Sequence, residues 1–421
     1  MSDPLNAAAA EFHFAPAVVE AAQRAFDDCA QTWRARDENA LRVTAKVVGA
    51  FARAGINESH LHGSTGYGYH DAGRAKFEAL FADLMGSARA IARLQLISGT
   101  QAIVATLSAL LRDGDTLCSL TGRPYDTLRF ALADHPAALA HNGVKYFETA
   151  WPDGKRLDES AVREALAMHP DVAFMQRSRG YAPRRSLAIE QIAKLIEMTR
   201  AQAPETLVVV DNCYGEFVEL EEPGDVGADA VVGSLIKNPG GGSALTGAYI
   251  TGTHDVIERI AERMFAPGLS TALGPTLDWL RSSFAGLHRA PKVVGESLKI
   301  MDFSAAVFAR LGYEVDPVCG SERTDTIQAI RLGSPRKLAA FAAGLQKLLP
   351  VNAAAVPEPG PVPGYAEPVI MASGSFVSGS TMELSCDAPL REPYDVYLQG
   401  GMDLAHGLLA VMSAASQVLS A

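Results

Sequence analysis

The sequence predicts an α/β fold: a mostly parallel sheet of seven strands with helices on both faces, followed by a smaller α+β domain at the C-terminal end. Three observations carry this. Seven short apolar runs follow one another at about 92–97, 116–120, 144–147, 172–176, 207–210, 230–235 and 246–251. Most gaps between them have helical composition, as with Ile103, Val104, Leu107, Leu110 and Leu111 after the first run. Runs such as Leu207-Val208-Val209-Val210 are continuous rather than alternating, which is the mark of strands buried on both faces.

Composition sets the frame for these elements. Of 421 residues, 48% are hydrophobic and 20% charged, which excludes disordered and coiled-coil classes and leaves enough chain for a large core. The net charge of −11 argues against nucleic acid or an anionic membrane as main partner, since both reward a basic surface. Five cysteines, Cys29, Cys118, Cys213, Cys319 and Cys386, stand far apart with no C-x-x-C pair. No zinc site or disulfide framework is expected from them, and a reducing cytoplasm is the expected compartment. The N-terminal Met1-Ser2-Asp3-Pro4 lacks the basic start and apolar run of a secretory signal.

In chain order, residues 17–55 carry two helical patterns, with a break expected near Asp37-Glu38-Asn39. A Gly- and Tyr-rich loop, His62 to His70, leads into an amphipathic helix with Phe77, Leu80, Phe81, Leu84 and Met85 on one face. The strand–helix alternation then runs to about residue 290. After it come a long helix, a strand near 326–332, a helix near 335–349 and an Ala- and Pro-rich loop, Val351–Pro363. Strands near 367–371 and 380–385 and a final uncharged helix, Leu404–Ala421, complete the chain. The expected division is an N-terminal helical arm (1–60), a large domain (61–290) and a small α+β domain (291–421).

Open parallel sheets bind ligands beyond the carboxyl ends of their strands. The residues standing there are therefore the candidates. Ser98-Gly99-Thr100-Gln101 follows the first run and opens a helix, where small residues and free amides suit an anion. Alone, that segment also reads as an ordinary N-cap. Asp211 follows the fifth run, and Lys237 stands in the apolar, Gly-rich segment after the sixth. An isolated Asp there is commonly a turn residue, and an isolated Lys commonly a solvated one. A desolvated lysine is expected to have a lowered pKa and to act as an imine-forming amine. Together, the lysine, the carboxylate and the helix N-terminus describe a pyridoxal 5′-phosphate (PLP) site: Schiff-base lysine, pyridinium partner and phosphate cradle. The 26-residue separation of Asp211 and Lys237 spans one strand-to-strand connection and would place both on neighbouring strand ends.

With these residues in place, the sequence resembles the fold-type I PLP enzymes of the Cys/Met metabolism class. It is most similar to the cystathionine β-lyase/methionine γ-lyase-like group known as aluminium resistance proteins. The resemblance runs from about residue 40 to the end and is strongest in His62–Arg74, Ile97–Gln101, Gln176–Tyr181, Val209–Tyr214, Ser234–Gly242 and Ser373–Gly401. It implies that Lys237 is the PLP lysine, Asp211 the pyridinium partner and Ser234 a phosphate-binding hydroxyl. Ser98, Gly99 and Thr100 fall at the phosphate cradle. Tyr125 falls at the aromatic that stacks on the cofactor, although it also reads as a turn tyrosine.

In the larger class a Tyr-x-Arg segment reaches the phosphate of the neighbouring subunit. Here the stretch is Tyr67-Gly68-Tyr69-His70-Asp71, with Asp71 in place of the arginine and Arg74 one helical turn on. The resemblance thus implies a homodimer or homotetramer with shared active sites, using Tyr67 or Tyr69. His62 and His70 read as loop histidines. For the substrate carboxylate, which a guanidinium pairs bidentately, the resemblance favours Arg391 over Arg179. Arg391 stands in a segment expected to follow a strand, where this fold class supplies an arginine, and Arg179 beyond a strand of the large domain. Arg391 also reads as a surface ion pair with Glu392 or Asp387.

The implied activity is a carbon–sulfur lyase on a sulfur-containing amino acid, with Lys237 removing the α-proton and a keto acid, ammonia and a thiol as products. No metal is implied. Aldol cleavage, transamination and γ-replacement use the same parts, and a non-catalytic PLP-binding protein is the alternative from another class.

Overall fold

In the computed structural model, which describes residues 4–150 and 158–421, helix α1 spans Pro4–Phe12 and α2 spans Pro16–Ala54. The expected break near Asp37 is absent. No proline or glycine stands between Ala17 and Val48, and charged residues such as Asp37 and Glu38 sit in a helix at little cost when exposed. Helix α3 (Ala72–Leu84) is capped by Asp71, and α4 (Gly99–Leu110) follows strand β1 (Arg89–Arg93).

Onward, β2 (Thr116–Ser119), α5 (Asp126–Arg129), β3 (Lys145–Glu148), α6 (Glu159–Leu166), β4 (Val172–Gln176), α7 (Ile189–Gln202) and β5 (Leu207–Asp211) alternate. Strands β6 (Ala230–Ser234) and β7 (Ala248–Gly252) close the first sheet, followed by α8 (His254–Met264) and the long α9 (Trp279–Arg310). The remainder comprises β8 (Glu314–Asp316), β9 (Ile327–Arg331), α10 (Pro335–Gln346), β10 (Pro359–Gly360), β11 (Val369–Ser373), β12 (Ser385–Pro389), β13 (Asp395–Gln399) and α11 (Leu404–Leu419).

The seven-stranded sheet has the order β1-β7-β6-β5-β4-β2-β3. From β3 to β6 every pairing is parallel, and β7 runs antiparallel to both β6 and β1. This is the fold class the alternation predicts. Six strands lie within about two residues of the apolar runs. β1 begins and ends earlier than its run, at two arginines. Arg93 belongs in a buried strand because its guanidinium is matched: Nε donates to Glu78 Oε1 at 2.5 Å and Nη2 to the Thr271 carbonyl at 2.9 Å. The second sheet, β10-β11-β12-β13-β9-β8, is antiparallel throughout.

The expected strand at 380–385 is instead a turn, with the Leu384 amide on the Thr381 carbonyl and Leu384 at φ 96°. β12 therefore starts at Ser385, inside the segment expected to follow a strand. The Ala/Pro loop also contains β10, whose Pro359 and Gly360 pair with Ile370 and Val369.

The chain forms two compact units: residues up to Arg42 with Arg289–Ala421, and Val43–His288. In the second, Val208, Val209 and Val210 are fully buried, each worth roughly 1.5–3 kcal/mol of apolar transfer. Its core gathers Ile91, Ile103, Leu107, Phe174, Val209 and Ile250 between sheet and helices. In the first, Val18, Ala22 and Cys29 of α2 pack with Phe303, Phe308, Phe341 and Leu398. No described helix is long and apolar enough to cross a membrane.

Candidate active site

Parallel pairing sets β5 and β6 side by side, with Asp211 the last residue of β5 opposite Val232 of β6. Ser234 ends β6, and Lys237 follows three residues later, at the entry to a short turn, Asn238–Gly240. Ser98 caps α4, its Oγ accepting from the Gln101 amide at 3.1 Å. The amides of Gly99 and Thr100 lie in the first turn, where a helix offers no acceptor of its own.

Gly99 brings that helix end to the two strand ends. A Cβ at residue 99 would stand 3.3 Å from Cys213 Sγ and 3.5 Å from Ser234 Cβ. Thr100 Oγ1 hydrogen-bonds the Tyr125 hydroxyl at 2.9 Å, and the Tyr125 amide donates to Gln176 Oε1 at 2.9 Å. Ser98, Gly99, Thr100, Tyr125, Asp211, Ser234 and Lys237 thus gather at one edge of the sheet.

Asp211 is only 2% exposed, and burial raises its carboxyl above the usual range. The Cys213 amide, donating to Asp211 Oδ1 at 3.1 Å, and the charges of Lys237 and Arg184 pull in the opposite direction. Burial also pushes the Tyr125 phenol up, with the Asp211 charge adding to it. Lys237 departs from its expectation. Burial does depress the ammonium, but the Tyr214, Cys213 and Tyr125 acids outweigh it, so the group lies above its ordinary value. The lysine Nζ sits 3.8 Å from the centroid of the Tyr214 ring.

Several supporting residues escape a reading of motifs. Arg177, fully buried just beyond β4, donates from Nη1 to Asn212 Oδ1 at 2.7 Å and to the Gly215 carbonyl at 3.1 Å, and from Nη2 to Glu219. Asn212 Nδ2 donates in turn to Glu222 Oε2 at 2.8 Å. Asn238, next to Lys237, donates to the carbonyls of Tyr214 at 3.1 Å and Glu216 at 3.0 Å. This network fixes the loop after β5, in which Tyr214 takes the left-handed φ of 71° that only a well-held residue keeps. The available signal was position: Arg177 and Asn212 each directly follow a strand end.

Glu216 is fully buried on the same loop, accepting from the Tyr249 hydroxyl at 2.9 Å on Oε1, with Oε2 unpartnered among the described residues. Burial pushes its carboxyl up to about 8.

Tyr67 and Tyr69 are 74% and 52% exposed, their rings 5.9 Å apart. Asp71 caps α3: Oδ1 takes the Arg74 amide at 2.8 Å, and Oδ2 takes the hydroxyls of Ser64 and, at 2.5 Å, Thr276. Arg74 is buried, donating to the carbonyls of Gly68 at 2.8 Å, Ala272 at 2.9 Å and Gly274. Its guanidinium therefore clamps two loops. Arg179 is buried beside Gly180, where a Cβ would lie 3.2 Å from Tyr125 Cβ. Arg391 is half-buried on the turn after β12, in the other compact unit. Among the described residues no group of three or more His, Cys, Asp or Glu is placed to hold a metal ion.

Known proteins share this fold. A structure of a candidate cystathionine beta-lyase involved in aluminum resistance from Clostridium acetobutylicum superimposes with a TM-score of 0.94 at 38% identity, covering 99% of each chain. The Bacillus subtilis (strain 168) protein YnbB is 40% identical over 380 residues, 89% of this chain and 90% of its own length. At 18% identity, a pyridoxal-5′-phosphate dependent protein, YhfS of Escherichia coli, shares the fold with a TM-score of 0.61, over 91% of this chain and 96% of its own. The fold is that of the fold-type I PLP-dependent enzymes. The family model for methionine gamma-lyase matches residues 18–419, and the chain belongs to that family.

Proposed function

We propose that this protein is a PLP-dependent carbon–sulfur lyase acting on a sulfur-containing amino acid, releasing a thiol by β- or γ-elimination and yielding a keto acid and ammonia. The observation that carries it is the convergence of Lys237, the buried Asp211 and the α4 N-terminus on adjacent strand ends, in a member of the methionine gamma-lyase family. The residues present fit the cofactor. Gly99 carries no side chain where a Cβ would press on Cys213 at 3.3 Å, and the free amides of the α4 N-terminus beside Ser234 suit an anion. The buried Asp211 suits a cationic ring nitrogen, which would draw its carboxyl back to the ionised form.

When bound, PLP supplies an electron sink for the charge left at the substrate α-carbon. The protein does the rest. Lys237 Nζ is the attachment point and, once displaced by the substrate amine, the base that takes the α-proton. Tyr125, held at both its amide and its hydroxyl, is fixed to stack on a ring. The substrate carboxylate is assigned to Arg391 or to Arg179, the latter beside the glycine that packs on Tyr125. The exposure of Tyr67 and Tyr69 supports a further part of the reading, that these tyrosines serve a neighbouring copy in a homodimer or homotetramer.

The test is the visible absorbance of the purified protein, followed by a panel of sulfur amino acids. A coloured protein that releases thiol and keto acid supports the reading. With cystathionine, a three-carbon keto acid marks β-elimination and a four-carbon one γ-elimination. Full turnover by Lys237→Ala, or a coloured protein that releases no keto acid, overturns it. Selective loss of substrate affinity in Arg391→Ala or in Arg179→Ala decides the carboxylate partner.

A further inference from the structure

Two of the five cysteines, 290 residues apart in sequence, meet: Cys29 Sγ and Cys319 Sγ lie 3.3 Å apart and share a hydrogen bond. Cys29 is on the buried face of α2, fully enclosed, while Cys319 is half-buried on a turn between the exposed residues Val318 and Gly320. The turn is closed by the Ser321 amide on the Val318 carbonyl, with Gly320 at the positive φ of 82° that such a turn requires.

Helix α2 grips this turn along one face. Cys29, Thr32 and Arg36 recur at spacings of three and four, so they project from the same side. A Cβ at Gly320 would lie 3.7 Å from Thr32 Oγ1. Arg36 Nη2 donates to the Ser321 carbonyl at 2.7 Å, while its Nε donates to Asp302 Oδ2 at 3.0 Å. Arg323 Nε reaches the other oxygen of Asp302 at 2.6 Å. Helix and turn are thus held in register by contacts that do not involve sulfur, and the two thiols face each other as a consequence.

The pair is chemically unequal. The Cys29 hydrogen bond, together with Arg323 and Thr32, lowers the Cys319 thiol below its ordinary value, against the opposing effects of desolvation and Asp302. The hydrogen bond with Cys319, then burial, pushes Cys29 up. Cys319, half-buried on its turn, is the sulfur a small oxidant can reach, and the enclosed Cys29 stands behind it, which is the arrangement of an attacking and a resolving thiol.

We propose that Cys29 and Cys319 form a redox modification site, oxidised by a hydroperoxide to an intramolecular disulfide. The Cys319 thiolate attacks the peroxide O–O bond, takes one oxygen to become a sulfenic acid and releases the alkoxide, which is protonated to the alcohol (for hydrogen peroxide, water). Cys29 then gives up its proton and attacks the Cys319 sulfur. The S–O bond breaks, and the departing hydroxide takes that proton as water. Two electrons pass from the sulfurs to the peroxide. The sulfurs need to close from 3.3 Å to about 2.0 Å. The product ties α2 to the turn after β8, and none of the candidate-site residues takes part.

The experiment treats the full-length protein with hydrogen peroxide, titrates thiols in denaturant and maps peptides without reduction. The expected result is a fall from five free thiols to three, a cross-linked peptide pair containing Cys29 and Cys319, and return to five with dithiothreitol. Cys29→Ala, a substitution the alanine-rich face of α2 accommodates, is expected to leave a sulfenic acid on Cys319 that dimedone captures. Two results overturn the proposal. One is five thiols retained at a peroxide concentration that oxidises Cys319 in Cys29→Ala. The other is thiol loss through any other pairing, within or between chains.

Discussion

Lys237 Nζ stands 3.8 Å from the centroid of the Tyr214 ring, and Tyr214 is the strongest influence holding that ammonium above its ordinary value against burial. The ring supplies a cation–π contact and the phenol an acidic partner. Tyr214→Phe keeps the first and removes the second. The Lys237 ionisation is then expected to move to lower pH, because burial is opposed by fewer groups. The pH profile for labelling Lys237 with an aldehyde reagent in cofactor-free protein reads this directly, and an unchanged profile would assign the effect to other groups.

Arg177 ties together Asn212, Gly215 and Glu219 with no exposed surface of its own. Removing one member of a buried, paired set leaves the others uncompensated. Arg177→Leu is expected to cost about 3–5 kcal/mol of unfolding free energy, measured by urea denaturation. A loss below about 1 kcal/mol would mean that the loop after β5 is held by other contacts.

Asp71 serves as a helix cap with two hydroxyl partners. Asp71→Ala is expected to cost about 1–2 kcal/mol. Burial raises the carboxyl, but the hydrogen bonds from Ser64, Thr276 and the Arg74 amide overcome it and leave the folded-state pKa lowered. Its contribution is present above the unfolded value and fades as pH falls through the folded one. The gap between wild type and Asp71→Asn should therefore narrow in acid. Asp71→Arg is expected to destabilise the protein, since it removes the cap and places a cation beside the buried Arg74.

Glu216 behaves in the opposite sense. Burial pushes its carboxyl from 4.5 to about 8, so the stability it contributes is complete below pH 4.5 and is lost as pH rises toward 8. Across that window the loss is on the order of a few kcal/mol. Glu216→Gln removes this dependence while keeping a partner for Tyr249. Its stability relative to wild type should rise between pH 5 and pH 8.5 in urea titrations, and parallel curves would show that Glu216 does not titrate there.

The strands that position the site were legible because each is a local pattern. Leu207–Val210 is a continuous apolar run, and a parallel strand buried on both faces needs just that. The 26-residue step from Asp211 to Lys237 fitted one crossover, and β5 and β6 are indeed neighbours. Where the reading failed, a distant partner had changed what a residue was worth. Arg93 is a poor strand residue until Glu78 neutralises it, yet it closes β1, which starts at Arg89, ahead of its apolar run. The charged stretch at Asp37 looked like a break, yet with no proline or glycine nothing local ends the helix. Lys237 was expected to be depressed by burial alone; Tyr214, brought close by the loop after β5, reverses the sign.

By itself, the sequence determined the alternation of strands and helices, the capped start of α4, and the carboxylate and lysine at two strand ends. Those features depend on side-chain period, capping and spacing, all of which are written within a few residues or one crossover. Only the tertiary structure decided that Gly99 faces Cys213 and Ser234, that Arg177 anchors the loop carrying Tyr214, that Glu216 is sealed beneath Tyr249, and that Cys29 meets Cys319. Each of these joins residues from separate elements. Their chemistry is set by the water excluded and the charges brought near when those elements pack, and a linear pattern records neither.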